Sequence, residues 1–239
     1  MTYCMDLTNI LFLDIETVAG ARTYHDLSDR MRHLWNKKAA FLNNPEELSS
    51  SELYERAGIY AEFGKIVTIG VGYFKKEGDT FQLRVKDISS HNEVEVLSQF
   101  KKLVEERFNQ KQLRLCAHNG REFDFPYMAR RMIINGVQLP DCLRLAGKKP
   151  WEVPHIDTMD YWKFGDYKNF TSLDLLAAVL EVPTSKDDID GSQVNEVYYE
   201  DNDLERIGHY CKKDVSVMAQ VFLKLIQEDP IAPENIVML

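Results

Sequence analysis

The first hydrophobic run of the chain, Ile10-Leu11-Phe12-Leu13, ends in two acids one residue apart, Asp14 and Glu16. A short continuous apolar run bounded by polar residues suits a strand buried on both faces, here spanning Asn9–Thr17. The period then changes. Leu27, Met31, Leu34 and Trp35 recur at helical spacing, and Pro45-Glu46-Glu47 reads as a second helix start. Two helices are therefore expected as an insertion over about residues 21–58. Lys65–Lys75 alternates and is rich in β-branched residues, and Thr80–Ile88 follows across the turn Glu77-Gly78-Asp79, so an antiparallel pair should follow the acidic strand.

Downstream, Val94, Leu97, Phe100, Leu103, Val104 and Phe108 share one face of a helix predicted over Asn92–Phe108. Leu113–Ala117 reads as a short buried strand. It runs through His118-Asn119-Gly120 into a helix that begins near Phe123–Pro126 and ends at Asn135-Gly136. Asp141–Asp166 is rich in loops, with one short strand at His155–Asp157. A helix is expected at Ser172–Leu180, a polar loop at Thr184–Gln193 and a last long helix at Asp203–Gln227. No linker marks a boundary, so residues 1–239 are read as one α/β domain carrying a helical insertion.

Composition narrows the class. The 44% hydrophobic and 28% charged content of the 239 residues is that of an ordinary globular chain. No run approaches the roughly 18 apolar residues that span a bilayer, and MTYCMDLTN lacks the pattern of a secretory signal. Cys4, Cys116, Cys142 and Cys211 are widely spaced with no C-x-x-C, which argues against a disulfide framework or zinc site and for a cytoplasmic location. A net charge of −9 excludes a broad basic footprint on nucleic acid. It leaves room for an enzyme that grips a few nucleotides where bound cations offset a local acidic cluster.

Period-2 alternation points Asp14 and Glu16 to one side of their strand, where they repel each other unless a divalent cation intervenes. The alternative is that both lie past the strand end, in solvent or as a cap. Two further segments place acids at or inside helices: Asp124 in NGREFDFPYMARR and Asp214 in HYCKKDV, with Tyr210 one turn before Asp214. Taken singly, Asp124 reads equally as a helix-start residue, Asp214 as a solvated acid and Tyr210 as core.

Together, Asp14-Ile15-Glu16, Asn119 to Tyr127 and Tyr210-Cys211-Lys212-Lys213-Asp214 resemble the three exonuclease motifs of the DEDD superfamily. Phe-Asp-x-Pro-Tyr and Tyr-Cys-x-x-Asp are most similar to the proofreading exonuclease domain of family-B DNA polymerases. The resemblance implies an RNase H-like fold, a mixed sheet flanked by helices with the acids gathered at one edge. It also implies 3′–5′ hydrolysis of single-stranded nucleic acid, DNA before RNA, with two Mg²⁺ or Mn²⁺ ions held by Asp14, Glu16, Asp124 and Asp214. A module that kept the fold and lost catalysis is the competing reading. Tyr210 is expected to orient the attacking water. His209, five residues before Asp214, meets the spacing of the branch that uses histidine instead. Asn119, Phe123 and Lys186 are the candidate substrate contacts, against readings of Asn119 as fixing the strand-to-helix turn, Phe123 as core and Lys186 as part of a solvated loop; Tyr127 is a second stacking ring or core, and Arg130 or Arg131 a phosphate partner with the other at the surface.

Overall fold

The computed structural model describes residues 6–78, 80–166, 168, 170–184 and 189–239. Six strands form one sheet: β1 (Ile10–Ala19), β2 (Gly64–Glu77), β3 (Thr80–Ser89), β4 (Arg114–Ala117), β5 (Ile156–Asp157) and β6 (Ile236–Met238). Their order is β5-β4-β1-β2-β3-β6. β1 runs antiparallel to β2 and parallel to β4, so the sheet is mixed. The helices are α1 (Asp29–Ala39), α2 (Glu93–Arg107), α3 (Asp124–Ile134), α4 (Thr158–Lys163), α5 (Leu173–Val179), α6 (Val194–Glu196) and α7 (Leu204–Leu225).

The apolar run that opens the chain is central. Ile10, Leu11, Phe12 and Leu13 are all 0% exposed, as a strand covered on both faces requires. α7, with a nearly continuous buried stripe from Ile207 to Leu223, packs on the sheet over β2. Two strand glycines let it approach. A Cβ on Gly70 would stand 2.8 Å from Cys211 Sγ and 3.0 Å from the Cys211 carbonyl oxygen, and one on Gly72 would stand 2.8 Å from Val215. Glycine is weak in a strand interior unless another element must come this near. α2 and α3 are tied by an ion pair with little exposure. Arg131 donates to Glu93 from both Nε (2.8 Å) and a terminal nitrogen (2.5 Å), and the Ile66 N–H also donates to Glu93 (2.8 Å).

The insertion departs from the expected pair of helices. α1 forms, capped by Ser28, whose hydroxyl accepts from the Met31 N–H. Pro45 starts no helix, because Asn44 closes a turn by accepting from the Leu48 N–H at 2.9 Å while Glu47 takes a left-handed φ of 55°. The second helical piece is a tighter 3₁₀ stretch, Glu52–Ile59. Leu53, Tyr54 and Ala57 on its inner side pack with Trp35 and Phe63 in a satellite core, where the Trp35 indole donates to the Ser50 carbonyl at 2.7 Å.

Three further elements go beyond the sequence reading. α4 forms inside the segment expected to be loop, because Asp157 caps it by accepting from the Met159 and Asp160 N–H groups. α6 continues into one wide turn, Val197–Asp201, within a stretch whose periodicity is too short to register. β6 pairs parallel to β3 at the sheet edge with only three residues.

Candidate active site

The site grows from β1. Asp14 lies opposite Gly70 and Glu16 opposite Thr68, so both acids face the side that α7 covers. The pairing slips between Glu16 and Thr17, a local bulge of the kind that re-aims side chains. Because Gly70 has no side chain, Cys211 reaches the sheet. Its sulfur accepts from the Gly70 N–H at 3.2 Å and donates to Asp14 Oδ2 at 3.4 Å. Asp214 and Tyr210, one turn apart on α7, flank that contact, and the Tyr210 hydroxyl donates to the Asp214 carboxylate.

α3 brings the fourth acid. Before it the chain turns at Asn119, whose φ of 61° is in the left-handed region that asparagine tolerates. The turn is held by the buried Asp157 at the end of β5, which accepts from the Asn119 N–H at 2.9 Å and the Arg121 N–H at 3.0 Å. Asp124 is therefore the first residue of α3, 3% exposed. It is no conventional cap. The cap position is Phe123, without a side-chain cap bond, and Asp124 Oδ1 is buried with no hydrogen-bond partner.

The electrostatics follow from this crowding. Burial raises the Asp14 carboxyl to about 7, with Asp214 adding to the effect. Burial lifts Glu16 well above the usual carboxylate range, helped by Asp14, Asp214 and Asp124. Asp124 is raised by burial and then by Asp14. Tyr210 moves above its ordinary value through burial and the Asp214 charge, so it keeps its proton at neutral pH. The Cys211 thiol is likewise raised, by burial and then Asp14.

Asp14, Glu16 and Asp124, each raised by burial and by neighbouring carboxylates, stand with Asp214 as one donor set, in which an Asp124 oxygen is buried without a hydrogen-bond partner. Hard oxygen ligands of this kind fit Mg²⁺ or Mn²⁺. Ligand atoms of Asp14, Glu16 and Cys211 lie within 4.8 Å of one another, close enough for a shared ion. A cavity of about 620 Å³ opens over them, with Phe123, Asn195, Tyr210 and Asp214 in its wall.

The other sequence candidates fall in varied places. Phe123 is half-buried on the cavity wall, its ring 5.3 Å from that of Tyr127. Tyr127 itself is core, 2% exposed, and donates to the Gly58 carbonyl at 2.6 Å, so it offers no stacking face. Arg131 is committed to Glu93 and is no phosphate partner, while Arg130 is exposed. His209 is exposed, whereas Tyr210 lines the cavity. Asn119 Oδ1 is buried without a partner. Lys186 lies outside the described residues.

Sequence reasoning passed over Cys211, Asp157 and Asn195. Cys211 had a signal, its place between Tyr210 and Asp214. Asp157 looked like the end of a minor strand, and Asn195, which accepts from the Ala19 N–H at 2.9 Å, lay in an unread segment.

A family model described as a predicted 3′–5′ exonuclease related to the exonuclease domain of PolB matches residues 59–229, well over half of the chain. The chain belongs to that family. Asp124, Tyr210 and Asp214 lie inside the matched residues, and Asp14 and Glu16 precede them. Among solved structures, the family B DNA polymerase of Pyrobaculum calidifontis matches with a TM-score of 0.54 at 17% identity, over 91% of this chain and 24% of the polymerase. The chain thus spans about a quarter of that polymerase's length, and the shared fold is RNase H-like. The RNase domain of yeast Pop2 also matches, at a TM-score of 0.40 and 12% identity over 96% of this chain and 81% of that one. No curated protein matches the chain. Among the described residues, no helix is long and apolar enough to cross a membrane.

Proposed function

We propose that this PolB-related protein is a metal-dependent 3′–5′ exonuclease that shortens single-stranded DNA from its 3′ end and releases 5′-mononucleotides. The observation that carries this reading is the meeting of Asp14, Glu16, Asp124 and Asp214, from three separate elements, with one buried carboxylate oxygen unpaired. These four residues would hold two Mg²⁺ or Mn²⁺ ions. When bound, such ions neutralise the scissile phosphate and activate water for attack.

The rest of the chemistry belongs to the chain. Tyr210 stays protonated, so it serves as a hydrogen-bonding group that orients the attacking water, with Asp214 fixing its hydroxyl. Cys211 steadies Asp14 from behind by donating to its Oδ2. Phe123 offers a ring to the terminal base.

Matched single-stranded DNA and RNA oligonucleotides labelled at the 5′ end test the reading. The expected result is a ladder of shortened DNA that needs Mg²⁺ or Mn²⁺ and stops with EDTA. Faster shortening of RNA would move the substrate to that sugar, since contacts to the 2′-OH decide it. Binding without shortening would make the protein a binding module.

A further inference from the structure

The acidic cavity has a cationic edge that does not come from the exonuclease motifs. Asp14, Glu16, Glu55 and Asp214 line it, and among the described lining residues the one positive side chain is Arg56. Arg56 belongs to the 3₁₀ stretch of the insertion and precedes the residues matched by the family model. Side chains three apart eclipse in such a helix, and Arg56 and Ile59 accordingly both line the cavity.

Their support is rigid. On another row of the stretch, Tyr54 and Ala57, three apart, are buried, and so is Leu53 at its start. Gly58 is pressed on β1 so closely that a Cβ there would stand 3.0 Å from the Val18 backbone, and its carbonyl accepts from Tyr127. The insertion thus fixes this edge against the strand that carries Asp14 and Glu16.

Some other arginines are spent on partners, Arg22 on Glu200, Arg121 on Asp160 and Arg131 on Glu93, and those left unpaired among the described residues, such as Arg30 and Arg130, do not line this cavity. Arg56 is exposed and has no ion pair among the described residues. A guanidinium held beside carboxylates without pairing to them is available to a bidentate anion. Ile59, 54% exposed at the same edge, adds an apolar surface beside it. Charge next to apolar surface matches a nucleotide, with its phosphate and its base or sugar.

We infer that Arg56 is a substrate-positioning residue, a clamp on a backbone phosphate of the strand entering the cavity, with Ile59 against the adjoining nucleoside. This rests on the nuclease reading above. The clamp sets strand register and affinity, while the four acids perform the chemistry.

Steady-state shortening and single-strand binding by the full chain, the latter with Ca²⁺ replacing Mg²⁺ and read by anisotropy, test the clamp in separate arms. Arg56→Ala should raise KM and Kd about tenfold, the size of one charge-assisted contact, with kcat within about twofold of wild type. The slope of log Kd against log salt should become shallower by about 0.7, one phosphate's share on a single strand. Arg56→Lys should restore part of the affinity, and Arg30→Ala, an exposed arginine on α1, should behave as wild type. KM, Kd and salt slope unchanged in Arg56→Ala would overturn the clamp. Wild-type binding that Arg56→Ala weakens, in a protein that shortens nothing, would support the clamp while refuting hydrolysis.

Discussion

Tyr210 and His209 are neighbours in sequence and face different surroundings: the tyrosine lines the acidic cavity and the histidine is exposed. Tyr210→Phe, which keeps the ring and removes the hydroxyl, should lower kcat by about tenfold or more, in keeping with loss of one positioned hydrogen-bonding group. His209→Ala should stay within about twofold. The reverse pattern in steady-state rates would make the histidine the working residue. Asp14 supplies the pH dependence. Its carboxyl titrates near 7 in the folded chain against an ordinary 3.8. Between those values the metal-free fold keeps a proton that the unfolded chain has lost, so this group makes stability fall as pH rises through the window. Divalent ions compete for the same oxygens. The rise in Tm produced by Mg²⁺ or Mn²⁺ should therefore be larger at pH 8 than at pH 5. Asp14→Asn should melt above metal-free wild type at pH 8 and lose most of the metal response. An equal metal shift at both pH values would contradict this.

At the scale of elements, the close contact of α7 with β2 decides whether the site exists. Gly70→Ala puts a methyl 2.8 Å from Cys211 Sγ and 3.0 Å from a backbone oxygen of the helix. The expected cost is about 1–3 kcal/mol, read from urea midpoints. Activity should fall further than stability, because the shift displaces Tyr210 and Asp214 relative to Asp14. Elements with long, strong periodicity were readable in advance: β1, the β2–β3 pair, α2 and α7 formed within a few residues of the expected bounds. Of the short ones, β4, β5 and α5 were also expected, but others were not. The 3₁₀ stretch Glu52–Ile59, the six-residue α4 and the three-residue β6 owe their existence to caps, satellite packing and an open sheet edge, none of which leaves a period in the sequence.

For the whole molecule, the net charge of −9 and the acidic cavity fit the proposed nuclease, which would hold nucleic acid locally, through cations and a few side chains, rather than by a broad electrostatic field. The candidate acids were picked out by the resemblance of their three motifs to the exonuclease family, with Asp14 and Glu16 marked also by strand alternation. Asp157, which orders the turn leading to Asp124, was not, because it acts through backbone N–H groups contributed by distant residues. Arg56 was hidden for a related reason: only the fold brings the insertion beside β1. On the proposed reading, acids from β1, α3 and α7 form one centre for paired divalent ions. Calorimetric titration of the metal-free chain with Mn²⁺ at pH 7.5 addresses it most directly. Two ions per chain are expected, with binding abolished in Asp14→Asn and weakened in Asp124→Asn. An absence of Mn²⁺ binding to wild type, or binding untouched by both substitutions, would contradict it.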